Sequence, residues 1–361
     1  MNIGFLDRYP GKRDDEMEVY YDILKHNAIP YQRLFLTDSL FWEKVKELDV
    51  FVYKWGHQDD HHQIAKTIMP VIEHHMKVAC FPNEKTYWHY EDKIRQYYLL
   101  RELGFPVIES YVFWDKRQAL KWAEEAHYPV IFKLKGGAGS LNVILLKNRS
   151  SAIKIIRRMF GSGIKQGSFG LRHFIRTYNY DPVRIARHFL IKFRNGLLGR
   201  DILPFYQKHK NYAYFQKYLP GNEFDVRVTT AGNRVHAFRR FVRKDDFRAS
   251  GSDKWDIDPD KIDRRMLEIA LNISKQLGFQ AMAYDFIYDE NKEPKIVEMS
   301  YLYGGAGYPD FMNGYWDENL NWHSGRYWPQ YFELLDLLGI PDLKLPGNLG
   351  TVSSYSKVKI P

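Results

Sequence analysis

Cysteine is almost absent from this chain: Cys80 stands alone in 361 residues. A single thiol excludes a disulfide framework and a cluster of thiolate metal ligands, and it suits a reducing compartment. No apolar run reaches the roughly 20 residues that a membrane-crossing helix needs. The opening residues Met1-Asn2-Ile3-Gly4-Phe5-Leu6-Asp7 carry the pattern of a strand, not of a secretory leader. Internal repeats and low-complexity blocks are missing too, which speaks against a repeat architecture. These absences together lead us to expect a cytoplasmic protein.

What is present is apolar material and positive charge. Hydrophobic residues make up 45% of the chain and aromatic residues 16%, enough for a large core. The length exceeds one ordinary domain, so two or three packed subdomains are expected. The net charge of +9 is concentrated: residues 155–210 hold twelve Lys and Arg against two acids, Asp181 and Asp201, which gives that segment +10 and leaves the rest at −1. A localised basic surface says something about a partner, not about the fold.

Residues 1–82 alternate short apolar runs with amphipathic stretches of helical length. Strands are expected at Asn2–Leu6, Tyr31–Leu36, Val50–Trp55 and Val78–Phe81, and helices at Asp14–His26, Ser39–Leu48 and His61–His75. That alternation predicts a small parallel sheet with helices on both faces. A helix is expected over Glu91–Leu103, stopped by Gly104 and Pro106. Strands at Val107–Phe113 and Val130–Leu134 flank a helix at Lys116–Ala126, and a strand at Asn142–Leu146 precedes a helix over 148–160. After the basic segment come strands at Tyr212–Tyr218, Glu223–Thr229 and Arg234–Val242, then a long helix, Lys261–Leu277, ending at Gly278.

Two acids carry the chemistry of the C-terminal part. Asp285 lies in the apolar run 283–288 and Glu298 in the run 295–300, and the polar residues 289–294 between them read as a hairpin turn. Folded so, the two carboxylates meet on one face and repel unless a cation sits between them. Oxygen-only ligation suits Mg²⁺, which takes one or two carboxylates and keeps its other positions for water and phosphate. The plainer alternative is a pair of solvent-facing acids.

Gly136, Gly137 and Gly139 sit between two strand-like runs, so this glycine loop is a hairpin flap and not the strand-to-helix turn of a Walker or dinucleotide motif. Glycine lets backbone amides approach an anion closely. Lys133 ends the strand Tyr128-Pro129-Val130-Ile131-Phe132 that leads into the flap, an apolar setting in which an ammonium needs a counter-ion. At about 4 Å an ammonium and a phosphate oxygen attract by roughly 4 kcal/mol at an intermediate dielectric. Lys93 is one of several charges on its helix, where a solvated face is the default.

Taken in order, these pieces resemble an ATP-grasp protein of the glutathione synthetase and ribosomal-protein glutamate ligase branch, over residues 83 to 305. The series runs Asn83; Asp92-Lys93; Leu103-Gly104-Phe105-Pro106-Val107; Pro129-Val130-Ile131-Phe132-Lys133 and the glycine loop; Gln216-Lys217-Tyr218-Leu219 with Gly221; Asp225-Val226-Arg227-Val228; Phe238-Arg239-Arg240; Asp246-Phe247-Arg248; Asp285; and Glu298-Met299-Ser300. The resemblance implies an α/β (α+β grasp) fold. A Rossmann-like pre-ATP-grasp domain, 1–82, precedes a two-lobed ATP-grasp domain, 83–345, with lobes 107–215 and 216–345 and a tail from 346 to 361. ATP would lie between the lobes with Lys93 and Lys133 on its phosphates and the Gly136, Gly137 and Gly139 flap over them. The linker Gln216-Lys217-Tyr218-Leu219 would meet adenine through its backbone and Asp225 the ribose. Asp285 and Glu298, with Ser300, would hold one or two Mg²⁺. Arg240, with Arg227 and Arg248, would neutralise the transferring phosphoryl group. Ser300 stands where the family usually has Asn, and Lys217 where it usually has Glu. The first weakens a second metal site; the second leaves backbone contacts intact.

Within the basic segment, Pro182–Phe193 reads as an amphipathic helix with a cationic side, either a solvated face or a landing site for a polyanion or anionic lipid headgroups at the inner membrane face. Nucleic acid is disfavoured, since no recognised nucleic-acid-binding motif accompanies the charge. Tyr301, Tyr303, Tyr308, Tyr315, Trp316, Trp322, His323, Tyr327 and Trp328 crowd the tail; such density more often means packing, but its position also suits an acceptor pocket, with Arg326 as an anion contact. His57, Asp59, Asp60, His61 and His62, with His74 and His75 nearby, form a rival zinc cluster, although Asp59 and Asp60 serve equally well as helix-start residues. The functional expectation is an ATP-dependent carboxylate–amine ligase working through an acyl phosphate on an amine or amino acid and an acidic, glycan-type acceptor. A grasp-fold kinase of a polyol or sugar hydroxyl is the alternative, and a non-catalytic nucleotide-binding protein the second. Dimerisation is common in the family that the chain resembles, and nothing in the sequence fixes it.

Overall fold

The computed structural model describes residues 1–7, 15–137, 143–166, 207–243, 246–249, 254–303 and 312–347, with isolated positions between 182 and 190. Most of the helix expected at 182–193, most of the basic segment, Gly139, Tyr308 and the tail beyond 347 fall outside the described residues.

Four short strands, β1 (Ile3–Leu6), β2 (Gln32–Leu34), β3 (Val50–Val52) and β4 (Ala79–Phe81), form the expected parallel sheet in the order β2-β1-β3-β4. Their side chains alternate between two cores, as period two requires. Ile3, Phe5, Val50, Val52 and Phe81 face α1 (Asp15–His26) through Met17, Tyr20 and Leu24. Leu6, Leu34, Phe51 and Cys80 face α2 (Phe41–Lys46) and α3 (Asp59–Pro70) through Phe41, Val45, Ala65 and Ile68. Helices therefore cover both faces. The α3 helix begins at Asp59, two residues earlier than expected, with Asp59 and Asp60 in its first turn, where acids suit the helix dipole.

A short α4 (Glu84–Tyr87), capped by Asn83, precedes α5 (Lys93–Glu102), which starts at Lys93 because Asp92 accepts the Arg95 amide as its cap. The second sheet is antiparallel, ordered β5-β10-β6-β7. It is built from β5 (Ser110–Phe113), β6 (Val130–Lys133), β7 (Val143–Leu146) and β10 (Ala213–Lys217), while β8 (Ile164–Lys165) and β9 (Lys208–His209) pair separately. One face packs Val130, Phe132 and Phe215 on α6 (Lys116–Glu125) and α7 (Arg149–Met159). Asp115 and Asn148 cap these helices. The expected strand 107–113 is shorter, since residues 106–108 run beside the third sheet instead: Ile296 donates to Pro106 O at 2.8 Å and Ile108 to Ile296 O at 3.1 Å.

The third sheet runs β15-β14-β11-β12-β16-β17, with β13 (Trp255–Asp256) on β12. Its long strands are β11 (Phe224–Ala231), β12 (Arg234–Phe241), β14 (Ala281–Tyr288) and β15 (Pro294–Ser300), followed by β16 (Gly314–Trp316) and β17 (Trp322–Ser324). Behind it lies α8 (Arg264–Leu277), capped by Asp263 and ended by Gly278 at φ +67°, which buries Met266, Leu267, Ala270 and Ile273. The last helix, α9 (Pro329–Leu338), shares a core with α1 and the first sheet. Between them lies an ion pair that nothing in the sequence flags. Lys54 Nζ stands 3.5 Å from Glu333, both buried, and Glu333 also accepts from Tyr20 and Tyr303.

Candidate nucleotide site

The second and third sheets face each other across a cleft of about 700 Å³. Its walls follow from strand alternation. On β6, Val130 and Phe132 turn to the core, so Ile131 and Lys133 line the cleft; on β14, Tyr284 and Phe286 turn to α8, so Asp285 and Ile287 line it. Ile108, Ile131, Leu219, Phe224, Ile287 and Val297 give it an apolar lining. Charged residues line the same cleft.

Register brings those charges together. Asp225 lies opposite Arg240 across β11 and β12, Arg227 opposite Asp285 across β11 and β14, and Asp285 opposite Glu298 across β14 and β15. A bulge follows Asp285, leaving an extra residue on β15, so Val297 and Glu298 both line the cleft. Arg240 holds Asp225 through two bonds of 2.7 Å and reaches Asp285 at 2.8 Å. Arg227 holds the same Asp285 through bonds of 2.8 and 2.9 Å. Burial alone would raise the Asp285 carboxyl, but the two guanidinium groups outweigh it and hold Asp285 well below the usual carboxylate range.

The lysines differ. Lys93 Nζ donates to Gly137 O at 2.9 Å and stands 3.5 Å from Glu298. Burial would lower its pKa, but Glu298 and Glu91 raise it, so this ammonium stays charged. Lys133 is 3% exposed and has no hydrogen-bond or ion-pair partner among the described residues. Burial, with Lys93 nearby, pulls it down to about 8 despite Glu298. A buried ammonium open to a cleft and lacking its own acid is arranged for an anion from outside.

Gly137 lines the cleft with φ at +101°, backbone that favours glycine. The flap is the expected hairpin, with Lys133 opposite Val143. Glu91 is a residue the sequence reading missed. Its carboxylate accepts from the Gly137 amide and meets His57 Nδ1 at 2.8 Å. Burial pushes the carboxyl up, but His57, Lys93 and the Gly137 amide bring it to about 2. Glu91 also has φ at +56°, and a side chain added at Gly136 would come within 3.2 Å of its carbonyl. The signal for Glu91 is its place beside Asp92-Lys93, and nothing in the local pattern shows that it turns back onto the flap.

Other expected residues divide. Gln216, Lys217, Tyr218 and Leu219 line the cleft, and the Lys217 ammonium is held by Glu290 at 2.9 Å. Arg248 lines it too, held by Asp246 at 2.6 Å. Gly136 and Arg227 lie just outside the lining. So does Ser300, whose hydroxyl donates to Leu302 O at 2.9 Å; its place in the expected metal motif is kept in sequence, but the side chain is turned to its own backbone. The crowded aromatics of the tail are largely core: Tyr301, Tyr303, Trp316 and Trp328 are all buried.

The donor set fits magnesium and not zinc. Among the described residues no three His, Cys, Asp or Glu side chains gather as a metal cage. Asp285, whose oxygens accept from Arg227 and Arg240, and Glu298 set two carboxylates side by side in the cleft that the unpartnered Lys133 also lines, which matches an ion completed by water and phosphate oxygens. The rival histidines have protein partners: His57 meets Glu91 and Tyr90, His62 accepts from Trp55, and His74 meets Glu84 at 2.7 Å.

No family model matches the chain, and no curated protein matches it in sequence. Solved structures do. The chain is similar to the ATP-grasp ligase PsnB complexed with minimal precursor, at 14% identity over 93% of this chain and 97% of that one, with a TM-score of 0.53. It is also similar to the N5-carboxyaminoimidazole ribonucleotide synthetase of Thermotoga maritima, at 14% identity over 86% and 71% of the two chains and a TM-score of 0.51. A third is the D-alanine–D-alanine ligase of Bacillus anthracis, at 13% identity over 83% and 86%, with a TM-score of 0.50. At such identities the likeness is one of fold: the chain has the ATP-grasp fold. These neighbours are different enzymes and favour no one branch of it.

Proposed function

We propose that this protein is an ATP-dependent carboxylate–amine ligase. The observation that carries the reading is Lys133, a buried and unpartnered ammonium facing the Asp285–Glu298 pair across one cleft. Adenine would lie against the apolar lining and the backbone of 216–219, Asp225 would meet the ribose, and Lys93 and Lys133 would take the phosphates under the glycine flap. Asp285 and Glu298 would hold magnesium, which when bound offsets phosphate charge. Among the described residues that line the cleft, seven are cationic (Lys93, Lys133, Lys147, Lys217, Arg240, Arg243 and Arg248) and four acidic (Asp225, Asp246, Asp285 and Glu298), so there is positive charge to spare for a polyphosphate.

In the reaction, a carboxylate oxygen of the substrate attacks the terminal phosphorus and the bond to ADP breaks, leaving an acyl phosphate. The amine nitrogen then attacks the acyl carbon, the amide forms, and phosphate leaves with its oxygen while the amine loses a proton. Arg240, with Arg227 and Arg248, would neutralise the charge of this transfer, and closure of the flap would keep water from the acyl phosphate. The acceptor we put forward is an acidic molecule of the uronic-acid glycan type, or its nucleotide- or lipid-linked precursor, receiving an amino acid; the +10 segment 155–210 supports an acidic partner. That segment would also account for contact with an anionic membrane surface.

The test is purified protein with MgATP, amino acids and acidic sugars, followed by phosphate release and mass analysis of the product. A ligase releases one phosphate and one ADP per amide, and Glu298→Gln abolishes turnover. A product that keeps the phosphoryl group identifies a kinase instead. Absence of MgATP binding overturns the nucleotide reading altogether.

A further inference from the structure

Gly137 also lines a second cleft, of about 390 Å³, that plays no part in the nucleotide reading. Its walls come from α3, the Tyr90–Asp92 segment, the base of the flap and residues 207–212. Every acid on those walls is already engaged. Glu91 is taken by His57 and the Gly137 amide, Asp92 by Lys135 at 3.2 Å and the Arg95 amide, and Asp59 by the Gln207 amide at 2.7 Å.

The donors are not so matched. Lys66, Lys208 and Lys210 line the same cleft, and none has an acid within ion-pair distance among the described residues. His62 adds a further donor. Trp55 Nε1 donates to His62 Nδ1 at 3.1 Å, so that nitrogen is bare and the ring hydrogen of the neutral imidazole sits on Nε2. Burial keeps the ring neutral, pushed down to about 4. The Nε2–H is buried without an acceptor, on a residue that lines the cleft. Trp114 and Tyr212, with ring centres 6.1 Å apart, supply an apolar side.

We infer that this second cleft binds a small anion bearing a carboxylate or phosphate group, at a site separate from the nucleotide cleft. Cations without acids, a stranded N–H and a shortage of acceptors select negative charge, and the cavity is large enough for a molecule of metabolite size. Since Gly137 and the His57–Glu91 pair form part of the wall, occupancy there bears on the flap.

The experiment is isothermal titration of the full chain with inorganic phosphate and, separately, with citrate. Lys66 and Lys208 are exposed, so Lys66→Ala with Lys208→Ala spares the fold, which an unchanged thermal midpoint verifies. The expected result is saturable binding of at least one probe at one site per chain. It weakens at least tenfold in the double variant and changes less than twofold in Lys133→Ala. Phosphate binding alone identifies a phosphate-bearing ligand, and citrate binding alone a carboxylate. The inference is overturned if neither probe saturates, if the double variant binds like the wild type, or if Lys133→Ala abolishes binding, which would put the anion in the nucleotide cleft. MgATP titrated in parallel reports on the ligase reading by itself, so the two can fail separately.

Discussion

The two sides of the nucleotide cleft solve the problem of buried charge in opposite ways. On the third sheet, Asp225, Arg240, Arg227 and Asp285 satisfy one another through bonds of 2.7 to 2.9 Å. On the second sheet, Lys133 is just as buried and has no such partner. A self-satisfied array belongs to the fold as much as to the chemistry, whereas an ammonium left without an acid belongs to the ligand. Substitutions on the two sides should therefore separate stability from binding.

The largest effect is expected at Asp285. Asp285→Ala leaves the buried Arg240 and the half-buried Arg227 without their shared carboxylate and should cost about 3–5 kcal/mol of stability along with all turnover, read by urea unfolding and phosphate release. Lys133→Met should do the reverse. Nucleotide affinity falls roughly 30- to 100-fold, the loss of a charged contact, while urea stability holds or rises because an unpartnered charge leaves the interior. A drop in stability like that of Asp285→Ala would erase the contrast between the two sides.

The same lysine sets a pH dependence. Its folded pKa, about 8, lies below the 10.5 of the free side chain, so the unfolded chain binds more protons in between. The cost of burying Lys133 is complete below about 8 and is relieved as the pH rises toward 10.5, while MgATP affinity falls through the same window. Affinity measured from pH 7 to 10 should show that fall in the wild type and not in Lys133→Met.

A smaller effect is expected at the flap. Glu91→Gln should cost about 1–3 kcal/mol and speed exchange of the Gly137 amide hydrogen. Because the Glu91 carboxyl is held down to about 2, its contribution is complete above the ordinary 4.5 and is lost as the pH falls through about 2. The smallest change belongs to Lys217→Ala. Its exposed pair with Glu290 is screened by solvent, so the thermal midpoint and nucleotide affinity should both stay within error.

Much of this architecture was legible because it rests on local pattern. Short apolar runs pointed to the strands of the first two sheets and to β11, β12, β14 and β15 of the third, though not to β13, β16 or β17, and the polar residues 289–294 put Asp285 opposite Glu298. What escaped depends on contacts far apart in sequence. Lys54 and Glu333 meet across 279 positions, and residues 106–108 leave their own sheet to pair with Ile296. Glu91 escaped for a different reason: its direction is set by a left-handed backbone that no composition rule requires. The self-pairing of Arg240 and Arg227 was hidden as well, since basic residues on alternating strand positions announce a charged face and not which acid they will find.

The sharing of two cores between the first sheet and the third has a practical bearing on how the protein can be handled. Phe51, Tyr53 and Trp55 sit in one continuous apolar mass with Tyr284, Phe286 and Met299, and Phe5 and Val52 in another with Trp328 and Phe332. Severing the chain near residue 82 would strip the oily undersides of both fragments bare, and neither piece should survive expression as a dispersed monomer.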